Sequence, residues 1–380
     1  PTNFGGLTGY MIPGTWISNS YYDIDNSKIN NAKVLSPGGI YTGQYTAWAT
    51  QGSGSVVVSP SSRAGLNIDS YMSKDLNDNT YVIRTVAGDQ SDLSKMLAFV
   101  SSTTVGNANP YTFKLANDID MSVTNVGSGT PYVPYFGATE FKGNTFSVNN
   151  FSFNRQTSGI GFFGMVYKSA LTDVKVNSVV YTGQTNNTIN ALEYVGSAVG
   201  AMYGGTISGG LSTLSARVNG QNYIGGFAGY VGQGVMYSTQ ALRASPTTGS
   251  VLGLTYVGGL VGEMEVVAAK SLNSDVPVTG TTRTGGLSGY LNSNFTTANV
   301  NVTTNSATLL TASGAVVATG ERTGVLIGEA TGGTVVLTNA SASGTVNSSS
   351  NYVGGLIGLA YGSAYSDISG TPAVPTGTGG

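Results

Sequence analysis

The sequence contains no cysteine and no histidine among its 380 residues. Without cysteine, the chain can form no disulfide, no thiolate metal site and no cysteine nucleophile. The absence of histidine removes the commonest general base and the commonest transition-metal ligand. Catalysis would depend on carboxylates, lysine, serine or tyrosine, and we predict that the chain is not an enzyme.

Charge is also scarce. Only 9% of the residues are charged, whereas about 25% is usual in soluble domains. The net charge of −2 supplies neither a basic field for nucleic acid nor a polybasic patch for anionic lipid. No run approaches the roughly 18 apolar residues that would span a bilayer, so we expect no membrane insertion. The chain opens with Pro1 rather than Met, which we interpret as a processed or excised piece of a longer chain.

Glycine, in contrast, is abundant and periodic. A motif of two glycines, two further residues and a closing glycine recurs at residues 4–9, 224–229, 257–262, 284–289 and 353–358, with degenerate copies at 160–164, 195–200 and 323–328. The last seven closing glycines fall at positions 164, 200, 229, 262, 289, 328 and 358, so the spacing varies between 27 and 39 residues. Such a period, with elastic inserts, predicts a solenoid with variable loops.

The repeated glycines are predicted to be structural. We expect them to supply positive φ at the corners of each coil and to let successive coils approach closely. They are Gly5, Gly6, Gly9, Gly225, Gly226, Gly229, Gly258, Gly259, Gly262, Gly285, Gly286, Gly289, Gly354, Gly355 and Gly358. Stretches that follow them, such as residues 205–208 and 333–341, alternate apolar and small polar residues as strands do. The fold class is therefore all-β, and Gly259→Val should be strongly destabilising.

One segment has helical rather than strand periodicity. Leu93, Met96, Leu97 and Val100 recur at the spacing of a helix face, and Ser91 or Asp92 is available as an N-cap. Strand-like runs follow at 111–115 and 146–153. We expect a short helix to cover the open edge of the solenoid.

Taken in order, these motifs resemble those of the GLUG-motif bacterial surface proteins, which include filamentous-haemagglutinin-like adhesins and non-catalytic parts of some IgA peptidases. The resemblance rests on the glycine repeat with its following Gly-Thr-Ile strand, on residues 115–120 and on residues 141–151. It covers roughly 89–360 and again 3–25. It implies a right-handed β-helix or similar β-solenoid, used as an extracellular stalk or adhesive surface, and it carries over no catalytic residue.

The predicted organisation has five parts. Residues 1–25 are a solenoid-like coil, 26–88 an irregular connection, 89–155 the cap, 156–370 the solenoid and 371–380 a linker-like tail. No cap is evident after Gly358, and an uncapped coil exposes strand edges. The expected partners are copies of the chain joined end to end or neighbouring modules of a longer chain.

Three groups of side chains are candidates for chemistry. Asp118 and Asp120 could share a strand face and bind Ca²⁺ or serve as the acid/base pair of a polysaccharide-degrading enzyme; the alternative is that they bond to backbone groups of the cap. We expect no other cofactor. Glu263 and Glu265 also share a face, and a solvated ion pair with Arg283 or Lys270 is the favoured interpretation.

The third group is aromatic. Tyr41, Tyr45 and Trp48 lie close together in a stretch that looks like a loop. They could bind surface glycans by stacking, or they could pack the connection onto the solenoid or contact a neighbouring subunit. The leading hypothesis is a structural segment of an extracellular bacterial fibre or adhesin, with glycan binding second and an enzyme last.

Overall fold

The structure is a computed structural model. It describes residues 6–7, 20–23, 26–29, 32–33, 38–40, 42–50, 67–84, 91–100, 109–121, 133–151, 153–154, 158–178, 188–190, 192–266, 268–292, 300–302, 310–332, 335–337, 340–348 and 351–361. The predicted all-β fold is confirmed: the described part of the chain is mostly strand with few helices, and the strands stack in parallel into a β-solenoid of about 7 turns.

Four sheets form the sides of the solenoid, and each of the later coils contributes to all four in the same order. Sheet 1 contains Lys74–Asp75, Thr80–Ile83, Asn109–Leu115, Val133–Phe136, Ala138–Lys142, Phe163–Thr172, Val199–Ser208, Ala228–Tyr237, Val261–Glu265, Ala268–Lys270, Ser288–Asn292, Val300–Val302, Ile327–Thr331, Val335–Leu337 and Ile357–Tyr361. Sheet 2 contains Ile119–Asp120, Ser147–Asn149, Lys175–Ser178, Leu211–Leu214, Gln240–Arg243, Asn273–Ser274, Leu310–Ala312 and Ala340–Ala342.

The other two sheets begin later in the chain. Sheet 3 contains Phe153–Asn154, Thr188–Asn190, Arg217–Asn219, Ser250–Leu252, Val278–Gly280, Val316–Ala318 and Val346–Ser348. Sheet 4 contains Glu193–Val195, Asn222–Gly225, Thr255–Gly258, Thr282–Gly285, Thr323–Gly324 and Val353–Gly354. The glycine motif is the turn that leads from sheet 4 back into sheet 1 of the next coil.

The core runs through the inside of the stack and changes in character along it. Early coils are filled by fully buried phenylalanines that contact each other edge to face, among them Phe136, Phe141 and Phe163. Later coils bury mainly valine, leucine and alanine, such as Val278 and Leu291. Each coil is too thin to bury its own apolar side chains, so the core exists only because coils stack.

The first end of the stack is covered. The described part of the chain has two α-helices, α1, Thr42–Ala49, and α2, Ser91–Val100. The predicted capping helix is α2, and its Leu93, Met96, Leu97 and Val100 are buried. It packs on Thr80–Ile83 and Asn109–Leu115 of sheet 1. Asp92 lies inside the first turn and accepts a hydrogen bond from the Arg84 backbone N–H at 3.1 Å, rather than acting as the N-cap.

The predicted boundaries on the N-terminal side need correction. The connection 26–88 is not wholly irregular, because its Lys74–Asp75 and Thr80–Ile83 form an antiparallel hairpin at the edge of sheet 1. Lys114 ties this hairpin down through ion pairs to Asp75 at 2.6 Å and Asp78 at 2.9 Å. An antiparallel hairpin ends a parallel stack, so the cap begins before residue 89.

The stack of coils also begins before the predicted boundary at residue 156. Ile119–Asp120 and Phe153–Asn154 already pair in parallel with strands of the following coil, so stacking begins before residue 156. Of the proposed coil 1–25, the described strand Tyr22–Asp23 pairs with Gly39–Ile40 in a separate two-stranded sheet, and Lys28–Ile29 pairs with Ala32–Lys33 in another. The tail 371–380 lies outside the described residues.

The last described coil differs from the first. Its strands Ala340–Ala342, Val346–Ser348, Val353–Gly354 and Ile357–Tyr361 each pair on one side only within the described part of the chain. Tyr352, Val353 and Tyr361 are 52%, 45% and 71% exposed. A methyl group built on Gly355 meets nothing within 4 Å.

Candidate functional site

The glycine motif brings two backbones into direct contact. A Cβ added at Gly262 would lie 2.5 Å from the Ile224 nitrogen and 2.6 Å from the Gly229 oxygen, closer than the 3.0 Å that real Cβ atoms keep. The closing glycines of successive motifs form a column along the solenoid. Because they carry no side chain, the backbone of sheet 1 can lie directly on the backbone of sheet 4. Opposite them lie Gly225, Gly258, Gly285 and Gly354, whose added Cβ atoms would likewise meet backbone.

The middle glycine of each motif, its second, is required less strictly than the first and the closing glycine. An added Cβ at Gly259 would meet the Gly286 oxygen and the Ser274 hydroxyl, and Gly226 and Gly286 are similarly tight. Yet the same position carries Val325 in a later coil, where the side chain is buried. Local room in the core decides what fits there.

Close approach is thus the role of these glycines, and the expectation that they supply positive φ is wrong. Among the described residues, none of the repeated glycines has a positive φ. Gly5 and Gly9 lie outside the described residues. The left-handed position is instead the residue two before the first glycine of the motif; it is Gly159 in the copy at 160–164, and a tyrosine or an arginine in the later described copies.

These residues form a ladder along the solenoid. They are Tyr194, Tyr223, Tyr256, Arg283, Arg322 and Tyr352, with φ between 53° and 66°. Parallel pairing runs through the residues on either side and skips this position. Left-handed backbone costs a non-glycine residue about 1–2 kcal/mol, so six successive instances mark a constrained feature of the fold.

Sheet 1 supplies the facing wall. Tyr230, Glu263, Tyr290 and Glu329 occupy one column of successive coils. We call the surface between the ladder and this column the Tyr–Glu groove. The touching glycine backbones lie beside it and fix the separation of its walls.

Aromatic rings dominate the upstream half of the groove. Tyr194, Tyr223 and Tyr256 stack face to face, with centroids 4.6 and 4.7 Å apart and interplanar angles of 4°. Tyr230 meets Tyr194 and Tyr223 edge to face. The Tyr230 hydroxyl donates a hydrogen bond to Glu265 at 2.5 Å. Burial raises the pKa of Tyr230, and this hydrogen bond raises it further.

Ion pairs dominate the downstream half. Arg283 donates to Glu329 and also lies over the rings of Tyr256 and Tyr290, at 4.8 and 5.4 Å from their centroids. Arg322 Nε lies 3.3 Å from the same Glu329 oxygen. Glu329 is only 5% exposed, so two guanidinium groups neutralise one buried carboxylate.

Glu263 has no such partner. It is 7% exposed, and it makes no hydrogen bond or salt bridge within the described residues. Burial, with a smaller contribution from nearby Glu265, raises its pKa from the ordinary 4.5 to about 8, against an opposing effect of Arg283. The expected solvated ion pair with Arg283 or Lys270 is therefore wrong: Glu263 is buried, and Arg283 pairs with Glu329.

The aspartates proposed for calcium or catalysis are tied into the cap. Asp118 accepts the Ser147 backbone N–H at 2.8 Å, and Asp120 accepts the Asn150 amide at 2.7 Å. The backbone alternative describes Asp118. Within the described ranges, no three Asp or Glu side chains form a group that could hold a metal ion.

The aromatic cluster proposed for glycans is helical rather than a loop. Tyr45 and Trp48 lie on α1, Thr42–Ala49, three residues apart and so on one face. Trp48 packs edge to face on Tyr21 at 5.2 Å, and both helix aromatics are partly buried against the core. Tyr41 lies outside the described residues.

Sequence reasoning did not find the Tyr–Glu groove. A signal was present, because from residue 194 onward each glycine motif is preceded at the same offset by Tyr or Arg, as in Tyr-Ile-Gly-Gly at 223–226 and Arg-Thr-Gly-Gly at 283–286. Aligning the repeats on their glycines would have exposed the column. Burial of Glu263 could not be read from the sequence, since its surroundings come from other coils.

Comparisons with protein-family models, with curated proteins and with solved structures found no match to this chain. Neither α-helix in the described part of the chain is long and apolar enough to cross a membrane.

Proposed function

We propose that this chain is a structural module of an extracellular bacterial fibre or adhesin, whose stack of coils is continued beyond its last described coil. The observation that carries the proposal is the difference between the two ends. The first is covered by α2 and an antiparallel hairpin, whereas the last presents unpaired strand edges within the described residues. A long edge of this kind is a template for pairing with another strand.

The chemistry of the last coil supports the same conclusion. Val353 and Tyr352 are apolar or aromatic side chains about half exposed, and Gly355 has open space where the middle glycines of earlier coils meet the next coil. A further parallel coil would cover all three. The covered first end favours joining at the last coil over a head-to-tail polymer.

The low charge and the Ser-, Thr- and Asn-rich surface are consistent with an extracellular setting. The proposed function is not enzymatic and requires no cofactor. The joining coil would come from a following module or from a second copy, and the experiment below separates these sources.

The test is electron microscopy and light scattering of the purified chain against two matched variants. Val353→Lys places a charge on the last coil, and Val317→Lys places one on an interior strand where the valine is similarly exposed, at 39%. Rods that pair end to end in the parent and in Val317→Lys, but not in Val353→Lys, would support joining through a second copy.

Single rods throughout would assign the joining coil to a following module, and a chain extended with that module should then melt at a higher temperature. Association that Val353→Lys leaves unchanged would contradict joining at the last coil. So would an extended chain that melts no higher than the parent.

A further inference from the structure

We propose that Glu263 marks a binding site, in the upstream half of the Tyr–Glu groove, for the guanidinium group of an arginine side chain from a partner protein. This inference is independent of how the solenoid ends are joined. It rests on an internal comparison between two carboxylates that occupy equivalent positions in the same column.

The register makes the equivalence explicit. Glu329 faces two consecutive rungs of the ladder, Arg283 and Arg322, and pairs with both. Two coils upstream in its column stands Glu263, and the corresponding rungs are Tyr223 and Tyr256. The backbone thus builds the same acceptor twice and provides its cations only once.

Burial shows that the upstream acceptor is incomplete. More than nine-tenths of Glu263 is buried, and a buried carboxylate without a partner is costly. Its carboxyl oxygens form no hydrogen bond within the described residues and are not among the atoms sealed from solvent. They therefore face the surface of the groove and can accept from an incoming donor.

The groups around Glu263 suit a flat cation. Tyr223, Tyr230 and Tyr290 are close enough for the Glu263 charge to act on their hydroxyls. Glu265 adds a second negative charge nearby, and the neighbouring cation, Arg283, is already engaged by Glu329. Guanidinium groups pair with carboxylates and stack on aromatic rings.

The chain itself favours guanidinium over ammonium. Arg283 lies against two tyrosine rings while it bonds a buried glutamate, which is the arrangement proposed for the incoming side chain. A lysine ammonium is a compact, strongly hydrated charge and loses more on entering a half-buried aromatic site.

Binding is tested with three capped amino acids, namely N-acetyl-arginine methylamide, its lysine counterpart and its citrulline counterpart. Citrulline has nearly the shape of arginine and no charge. In NMR titrations at pH 9, where Glu263 is ionised, we expect the arginine probe to bind with a Kd in the millimolar range, the lysine probe more weakly and the citrulline probe not measurably; the titrations follow the groove tyrosines. Equal binding of arginine and citrulline, or no binding of arginine, would overturn the proposal.

Variants locate the site. Glu263→Gln should weaken arginine binding by at least about tenfold, whereas the same substitution at Glu140, far from the groove, should leave it unchanged. Glu263→Gln replaces the buried carboxyl group with an amide of nearly the same shape, so it should fold, as a melting curve will show. Full arginine binding by Glu263→Gln would place the site elsewhere and contradict the proposal.

The pH dependence of arginine affinity distinguishes a binding role of Glu263 from a purely structural one. Guanidinium binding requires ionised Glu263, whose pKa is about 8. Affinity should therefore rise up to about tenfold per pH unit below pH 8 and level off above it. An affinity that does not change between pH 6 and pH 8 would show that Glu263 is not the acceptor.

Discussion

The two halves of the Tyr–Glu groove share one backbone and differ in charge. Downstream, Glu329 is enclosed by Arg283 and Arg322. Upstream, Glu263 stands at the equivalent position beside tyrosines and titrates near pH 8. The difference shows that the glycine contacts fix the positions of the two carboxylates. The residue at the adjacent ladder positions, tyrosine or arginine, decides whether the buried carboxylate is neutralised.

The largest effect tests the backbone that both halves share. Gly262→Ala would push a methyl group into the backbone at Ile224 and Gly229, and backbone cannot move aside as a side chain can. We expect destabilisation of roughly 3 kcal/mol or more in urea unfolding. Gly355→Ala is the control, because its methyl group meets nothing within 4 Å; equal losses would mean that close approach is not what the glycines provide.

Next comes removal of the downstream acceptor. Glu329→Gln leaves two arginines without a carboxylate, and breaking a buried pair is strongly destabilising. Because Arg283 and Arg322 remain 23% and 28% exposed, we expect a loss of about 2 kcal/mol at neutral pH. An unchanged unfolding midpoint would show that the ion pairs contribute nothing to the stability.

The same substitution upstream should have the opposite sign. The pKa of folded Glu263 is raised above its ordinary value, so the free energy of unfolding falls as pH rises from about 4.5 to about 8 and is constant above that. In Glu263→Gln, the free energy of unfolding does not fall in this way, because glutamine does not ionise. We expect the variant to match the parent at pH 4 and to exceed it at pH 9 by about 1.4 kcal/mol for each unit by which folding raises the pKa of Glu263.

Calorimetry over that pH range checks the sign. A variant less stable than the parent at pH 9 would mean that Glu263 has a stabilising partner when it is ionised.

The smallest effect comes from supplying the missing cation. Tyr256→Arg places an arginine at a rung that accepts arginine in later coils, next to Glu263. We expect a gain of about 1 kcal/mol at pH 9 and a weaker pH dependence. Tyr194→Arg is the matched control, since the facing positions in its coil and the next are Ala201 and Tyr230. If both variants lose stability equally, the upstream acceptor is not available to a ladder arginine.

The solenoid could be predicted from the sequence because the glycine motif recurs once in each coil, so its period can be read directly from the order of the residues. The helix Ser91–Val100 was predictable for the same reason, since its apolar spacing is local. The N-terminal boundaries were not, because the pairing of Thr80–Ile83 with Asn109–Leu115 joins segments about thirty residues apart in sequence.

The groove illustrates a second limit. Sequence adjacency suggested that Glu263 and Glu265 would act alike, yet Glu265 accepts hydrogen bonds from Tyr230 and Asn292 while Glu263 accepts none in the described residues. Their difference comes from the neighbouring coils. The rung position likewise draws its meaning from stacking, and a single copy of Tyr-Val-Gly-Gly gives no hint of it.

The most direct test is an NMR titration of the Glu263 side-chain carboxyl in the intact chain. The groove as described predicts a midpoint near pH 8, well above the ordinary value of 4.5, with Glu263 protonated at neutral pH. A midpoint near 4.5 would show that Glu263 is solvated or already paired, and the contrast between the two halves of the groove would fall with it.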